Sequence, residues 1–236
     1  MKKPKLIQAV LITISIAILL GLFIKMQTIQ PQDIDYDSDP YSKIQYIDDI
    51  RKVINTIKGG SEKKIASLVK YPLAMSYPVP DINNEEEFIE RFDEVFDEAI
   101  LEKIASSSTD DWNTVGWRGI MFDNGMVWID YDGLIKAVNY QSEKEKQIQK
   151  ELIEKERETL HISVQEFTQP LHHVYIDNDI VRVDKMPDDS FRLVIWKDKD
   201  TAQQPDIVIS NGVIEFQGSG GGASYLFKDK NYKYDF

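Results

Sequence analysis

The chain has 236 residues, 42% of them hydrophobic and 11% aromatic, with 28 basic against 40 acidic side chains and a formal net charge of -12. That acidic excess argues against a nucleic-acid partner and against a surface that lies on anionic lipid. Cysteine is absent, which excludes a disulfide framework, thiolate chemistry and a cysteine-borne lipid anchor.

Lys2, Lys3 and Lys5 precede an almost unbroken apolar run from Leu6 to Ile24, which Lys25 closes. A helix needs about 20 apolar residues to cross a bilayer core, so residues 1–25 are predicted to anchor the chain in a membrane. The leading lysines should stay in the cytoplasm, which delivers everything after Lys25 to the other side. Gln8, Thr13 and Ser15 are uncharged, so the segment reads as a tether and not as an ion pathway. The alternative is a cleaved secretory signal, whose apolar region is about 7–15 residues long and ends at a small-x-small site. No such site occurs in Lys25–Gln30. The expected location is the cell membrane, single-pass, with the following domains outside the cytoplasm, or secretion if the segment is removed.

Residues 26–42 are polar, contain two prolines and lack core periodicity, as expected of a linker. Asp33, Asp35, Asp37 and Asp39 alternate, but neither register supplies the Gly and Glu that a calcium loop needs at its sixth and twelfth positions. Roughly 190 residues then remain, enough for a self-sufficient core.

Ile44, Ile47, Ile50, Ile54 and Ile57 recur at helical spacing and predict an amphipathic helix stopped by Gly59-Gly60. Ser61 is placed to cap a shorter helix carrying Ile65, Leu68 and Val69. Pro72, Pro78 and Pro80 make the next stretch extended. Asn84 and Glu87 resemble a capping box, and Phe88, Phe92, Val95, Phe96, Ile100 and Ile104 continue as one helical stripe whose phenylalanines belong to the core. After Ser106-Ser107-Ser108-Thr109 the pattern changes to strand. Val115–Phe122 and Met126–Tyr131 flank Asp123-Asn124-Gly125, a hairpin signal, and Asp132-Gly133 leads into Leu134–Tyr140.

The order of these helices, together with Lys70-Tyr71-Pro72-Leu73, Glu87-Phe88-Ile89 followed by Phe92-Asp93 and Phe96, Trp117–Phe122, and Gly125 followed by Trp128-Ile129, resembles the nuclear-transport-factor-2-like, or cystatin-like, α+β cone of bacterial extracytoplasmic proteins. The resemblance spans residues 43–140. It implies helices packed on a curved antiparallel sheet and leaves activity open, because that cone hosts isomerases, dehydratases, carriers and adaptors alike.

Gln141–Glu158 is rich in Glu, Lys and Arg, and residues 141–160 are expected to form an exposed connecting helix. From 161 to 236 the chain reads as a small antiparallel meander or partly closed barrel. Its strands cover 172–176, 180–183, 191–196, 207–209, 213–216 and 223–227, with Ser210-Asn211-Gly212 read as a turn. Such a β module behind the cone, with an Asn-Gly-x-Ile-Glu-Phe segment, is also part of the resemblance. Gly218–Gly222 lacks the Lys-Ser/Thr and following helix of a phosphate loop.

The fold class is therefore α+β, with no cofactor or metal site expected. His172 and His173 alternate across a strand and cannot grip one metal together. No Gly-x-Ser-x-Gly nucleophile motif occurs. Two functions stand: a non-catalytic binding or adaptor protein for an envelope protein or small ligand, and an isomerase- or hydrolase-like enzyme using the cone pocket. Tyr71, Tyr77, Asp123, Asp130 and Tyr131 are the polar residues the second would draw on. The candidate binding residues are Arg118, Trp117, Trp128, Tyr71 and Tyr77. Strand alternation would put Trp117 and Arg118 on opposite faces; either one tryptophan packs in the cone and Arg118 pairs with a local acid, or Arg118 lines the concave face of the sheet and receives an anionic group.

Overall fold

In the computed structural model the isoleucine stripe folds as helix α1 (Ile47–Lys58), and it buries Ile50, Val53, Ile54 and Ile57. Each such side chain contributes about 1.5–3 kcal/mol by leaving water. Asp48 and Asp49 in the first turn and Lys58 in the last suit the helix dipole. Ile44 departs from the stripe: it lies in a 3-10 turn, Lys43–Tyr46, and is 68% exposed. The structure describes residues 41–217, 222–228 and 233–235. The predicted anchor Leu6–Ile24, most of the linker and Gly218–Gly221 lie outside the described residues. No helix among the described residues is long and apolar enough to cross a membrane. Contacts divide the chain after Ser42, and Lys43–Phe236 forms one unit.

Helix α2 (Glu62–Ala66) follows Gly60, which takes φ 63°, and Ser61 sits at its N-cap without a side-chain cap bond. The phenylalanine stripe does not form one helix. It breaks into α3 (Glu85–Glu90), α4 (Phe92–Val95) and α5 (Glu98–Ser106). Asp97 causes the second break: its extended backbone and its carboxylate, which accepts from Ile100 N at 3.2 Å, make it an N-cap. The three rings still meet, Phe88 lying 5.7 Å from Phe92 and 6.1 Å from Phe96.

The first antiparallel sheet runs β1 (Trp112–Thr114), β2 (Ile120–Phe122), β3 (Val127–Ile129) and β4 (Ile135–Val138), in that order. Strand β1 was not expected from the sequence; Trp112 pairs with Phe122 in register, and the two rings stack at 4.7 Å. Trp112, Ile120, Phe122, Val127, Ile129 and Ile135 join the helices in one core. The alternate row, Asn113, Met121, Trp128 and Ala137, aligns across the strands on the opposite face.

Helix α6 (Glu143–Thr159) occupies the predicted connector and is largely exposed as expected, with Glu145 its one buried residue, but it is tied to the chain before it by specific polar bonds. Ser142 is fully buried at its N-cap and donates to Glu94 O at 2.7 Å, while buried Glu145 accepts from Ser76 N at 2.9 Å. Polar side chains here make specific buried bonds, which a reading based on apolar periodicity takes for solvent contacts.

The second sheet is a meander of β5 (Gln169–Ile176), β6 (Asp179–Lys185), β7 (Phe191–Trp196), β8 (Ile207–Gln217), β9 (Gly222–Lys228) and β10 (Lys233–Asp235). Ser210-Asn211-Gly212 is not a turn between two strands. It is a kink inside β8, where Asn211 takes φ 61° and the register with β7 shifts. His172 on β5 meets Tyr225 on β9 with ring centres 5.5 Å apart. Those strands are not sequential neighbours in the sheet, so the meander curls towards itself.

Candidate functional site

The segment between β1 and β2 places two of the predicted binding residues. Val115–Phe122 is not one strand: Gly116–Arg118 is a 3-10 turn bracketed by Gly116 at φ 47° and Gly119 at φ 101°. Val115 N donates to Gly119 O at 2.8 Å and closes the loop. Strand alternation therefore does not apply, and Trp117 and Arg118 line the same cleft. The sequence signal for this turn was Gly-x-x-Gly, which breaks a strand pattern because only glycine readily adopts such φ values.

Trp128 comes from β3 and aligns with Met121 on one side and Ala137 on the other. A bulge lies beside it: Ile129 pairs with Ile135 and Trp128 with Ala137, so Lys136 is the extra residue. A bulge re-aims the side chain it carries, and Lys136 joins the cleft. Trp117, Arg118, Trp128, Lys136, Ala137 and Asn139 line a shallow, solvent-open cleft of about 240 Å³.

Trp117 is 71% exposed. The Arg118 guanidinium carbon lies 6.0 Å from the centre of the Trp128 ring, at the outer limit of a cation–π contact. No carboxylate lies within ion-pair distance of Arg118 among the described residues. The Lys136 ammonium stands 3.9 Å from Asp130, whose carboxylate is engaged more closely by Lys70 at 2.6 Å. That Lys70 bond holds the Asp130 carboxyl below its usual range, against a smaller opposing effect of burial. Arg118 therefore keeps its charge available to a ligand, while Lys136 is paired only loosely, sharing Asp130 with Lys70, which also pairs with Asp132 at 3.0 Å. Asn139 is fixed by donation from its amide to Gly125 O at 2.6 Å.

Tyr71 and Tyr77 lie elsewhere. Tyr71 donates to Ala66 O at 3.0 Å and packs edge-on to Phe88, and burial raises its pKa first of all. Tyr77 donates to Glu156 at 3.1 Å and belongs to a second polar cluster. Of the remaining residues named for an enzyme, Asp123 is apart and pairs with Lys103. Asp130 and Tyr131 border the cleft: Asp130 pairs with Lys70 and lies 3.9 Å from Lys136, and the Tyr131 hydroxyl donates to Gly116 O at 2.5 Å while its ring packs tilted against Tyr46 at 4.5 Å.

The second cluster was missed from the sequence. Glu156 on α6 accepts from Tyr77 and Arg182 and faces His173 Nδ1 at 3.1 Å. Arg182 Nε donates to Asp184 at 2.7 Å, and Arg192 donates to Asp184 at 2.6 Å and to Val164 O at 2.7 Å. The Arg182 guanidinium also lies 4.6 Å from the Phe167 ring centre. Burial opposes ionisation of Glu156, yet His173, Arg182 and Tyr77 together hold its pKa below the usual value. The available signal was Arg182 and Asp184 sharing one face of a strand rich in valine and isoleucine, where lone charges would be costly.

No group of three or more His, Asp or Glu side chains is set to hold a metal among the described residues. No protein-family model, curated protein or solved structure matches the chain.

Proposed function

We propose that this chain is a membrane-tethered binding protein that works outside the cytoplasm without catalysing a reaction. In this reading residues 43–140 are a nuclear-transport-factor-2-like cone and 161–236 a β module behind it. The helix-then-sheet order supports the cone, and the lysine-flanked run Leu6–Ile24 supports the tether. One observation carries the function: the two faces of the first sheet differ in kind. The inner face is packed with Phe88, Phe96, Trp112 and Phe122, where an isomerase- or hydrolase-like cone would keep a pocket. The outer face gathers two tryptophans and two cations around a cleft open to solvent.

The test is hydrogen exchange on the full chain in the presence of a low-molecular-weight extract of its own cells, with the extract analysed by mass before and after. Slowed exchange confined to 115–119 and 127–138, with an unchanged extract, is the expected result. Conversion of an extract component by the chain would overturn the reading in favour of an enzyme. Protection confined to other segments would remove the cleft from it. A reporter fused after Phe236 should be active only outside the cytoplasm; cytoplasmic activity would reverse the orientation.

A further inference from the structure

We infer that the cleft takes a small organic anion: one flat ring bearing a carboxylate or phosphate, the ring against the indoles and the anion on Arg118 and Lys136. This rests on the binding reading above and names its ligand class.

Charge gives the sign of the ligand. In a chain with a net charge of -12, Arg118 and Lys136 converge on one cleft, and the nearest acid to Lys136, Asp130, is held more closely by Lys70. Low-dielectric indole walls strengthen the field of such cations on an anion. A planar guanidinium receives a carboxylate or phosphate through two parallel bonds, which gives orientation as well as attraction.

The lining gives the ligand's body. Trp117, Trp128 and Ala137 present apolar surface, while the Asn139 amide is already engaged by Gly125 O. A ligand that needed many hydrogen bonds, such as a polyhydroxylated chain, would leave most of them unmade here. An aromatic or otherwise flat ring uses the indole faces directly.

Size gives the limit. At about 240 Å³ the cleft falls below the range of about 300–1,000 Å³ that holds drug-sized ligands. A stable macromolecular interface would cover about 800 Å² on each partner. One ring with one acid group matches the space.

Backbone features support a built site. Trp117 stands 71% exposed at the tip of a turn that requires φ 47° at Gly116 and φ 101° at Gly119. Lys136 reaches the same cleft only because a bulge adds it to β4. Left-handed backbone and bulges are costly arrangements that recur at ligand sites.

The test uses the full-length chain carrying 5-fluorotryptophan, in zwitterionic detergent, followed by fluorine NMR. Trp117 and Trp128 line the cleft, whereas Trp112 and Trp196 are fully buried and report only on folding. Benzoate and phenyl phosphate should shift the Trp117 and Trp128 resonances saturably and leave the other two unmoved. Benzamide, the uncharged isostere, should bind at least tenfold more weakly, and inorganic phosphate should not shift the indoles at millimolar concentration. Arg118→Ala should weaken benzoate at least tenfold, with Trp112 and Trp196 unchanged as proof of folding.

Equal affinity for benzoate and benzamide would overturn the anion requirement, and saturable binding of phosphate alone would overturn the ring. If no probe moves either indole while the cell extract still protects 115–119 and 127–138, the ligand class is wrong and the binding function stands. If neither experiment finds the cleft occupied, both fall.

Discussion

Arg182 on β6 is fully buried and pairs with Glu156 on α6, fastening the charged helix to the second sheet. The same guanidinium bonds Asp184 and stacks on Phe167, so a single side chain joins helix, strand and loop. Removing one partner of such a buried pair leaves the other charge uncompensated and costs about 3–5 kcal/mol. Arg182→Met should therefore lower the unfolding free energy by about that amount in urea titration. A loss near that of an ordinary exposed pair, below about 1 kcal/mol, would mean that water reaches the junction.

This junction also marks where the sequence stopped being legible. Helix α1 follows from residues buried at helical spacing, Ile50, Ile54 and Ile57, whereas β6 and β7 follow from short apolar runs bounded by turn residues and are buried on both faces, as Leu193, Val194, Ile195 and Trp196 show. Helix α6 had no such stripe, because what fixes it is Ser142 on Glu94 O, Glu145 on Ser76 N and Glu156 on Arg182, all pairings distant in sequence. Three of the five candidate binding residues, Trp117, Arg118 and Trp128, share the cleft. The reason is not the strand alternation used to relate them: two glycines turn the chain, and a bulge unreadable from the sequence adds Lys136. Tyr71 and Tyr77 looked equivalent in sequence and differ only through the groups that tertiary packing supplies, Ala66 O in one case and Glu156 in the other.

Asp97 and Tyr140 predict a pH response with two limbs. The Tyr140 hydroxyl donates to Asp97 at 2.7 Å, and this bond, aided by burial, pushes the Tyr140 pKa up from 10.0 to about 12. Burial alone would raise the Asp97 pKa, but the Tyr140 bond and backbone N–H groups outweigh it and the pKa falls below 3.8. Between pH 10 and about 12 the unfolded chain loses the tyrosine proton while the folded chain keeps it, so stability falls as pH rises. Below pH 3.8 the unfolded chain takes up the Asp97 proton first, so stability falls as pH drops. Tyr140→Phe should reduce both limbs in unfolding midpoints measured from pH 2.5 to 11.5. The alkaline limb should shrink without vanishing, since Tyr71 and Tyr77 also have raised pKa values. Unchanged slopes in the variant would show that the pair carries no linkage.

Gly119 and Gly116 hold the same turn but should not tolerate alanine equally. A methyl group at Gly119 would stand 2.5 Å from the Ile129 carbonyl oxygen, a backbone atom that no rotamer change can move. At Gly116 nothing lies within 4 Å, leaving only the cost of a left-handed alanine, about 1 kcal/mol. Gly119→Ala should thus destabilise the chain by about 2–4 kcal/mol, combining backbone strain with the displaced strand. It should also shift the Trp128 fluorine resonance even without ligand. If the two substitutions cost the same, the close approach of Gly119 to β3 is not part of the folded structure.

Gly212 supplies the corresponding contact in the second sheet. A methyl group there would fall 2.2 Å from the buried Phe227 ring, which itself packs with Val183, Leu193 and Ile209. The missing side chain leaves room for the Phe227 ring of β9 against β8, beside the kink at Asn211. Gly212→Ala should therefore cost about 1–3 kcal/mol, as overpacking does elsewhere. It should also weaken the ring contact between His172 and Tyr225, read as loss of the cross-peak between them in NMR. Val213, the next residue, is 55% exposed, and Val213→Ala should stay within about 0.5 kcal/mol and leave that cross-peak intact. Equal costs at 212 and 213, with the cross-peak unaffected in both, would show that the sheet curls without the space Gly212 provides.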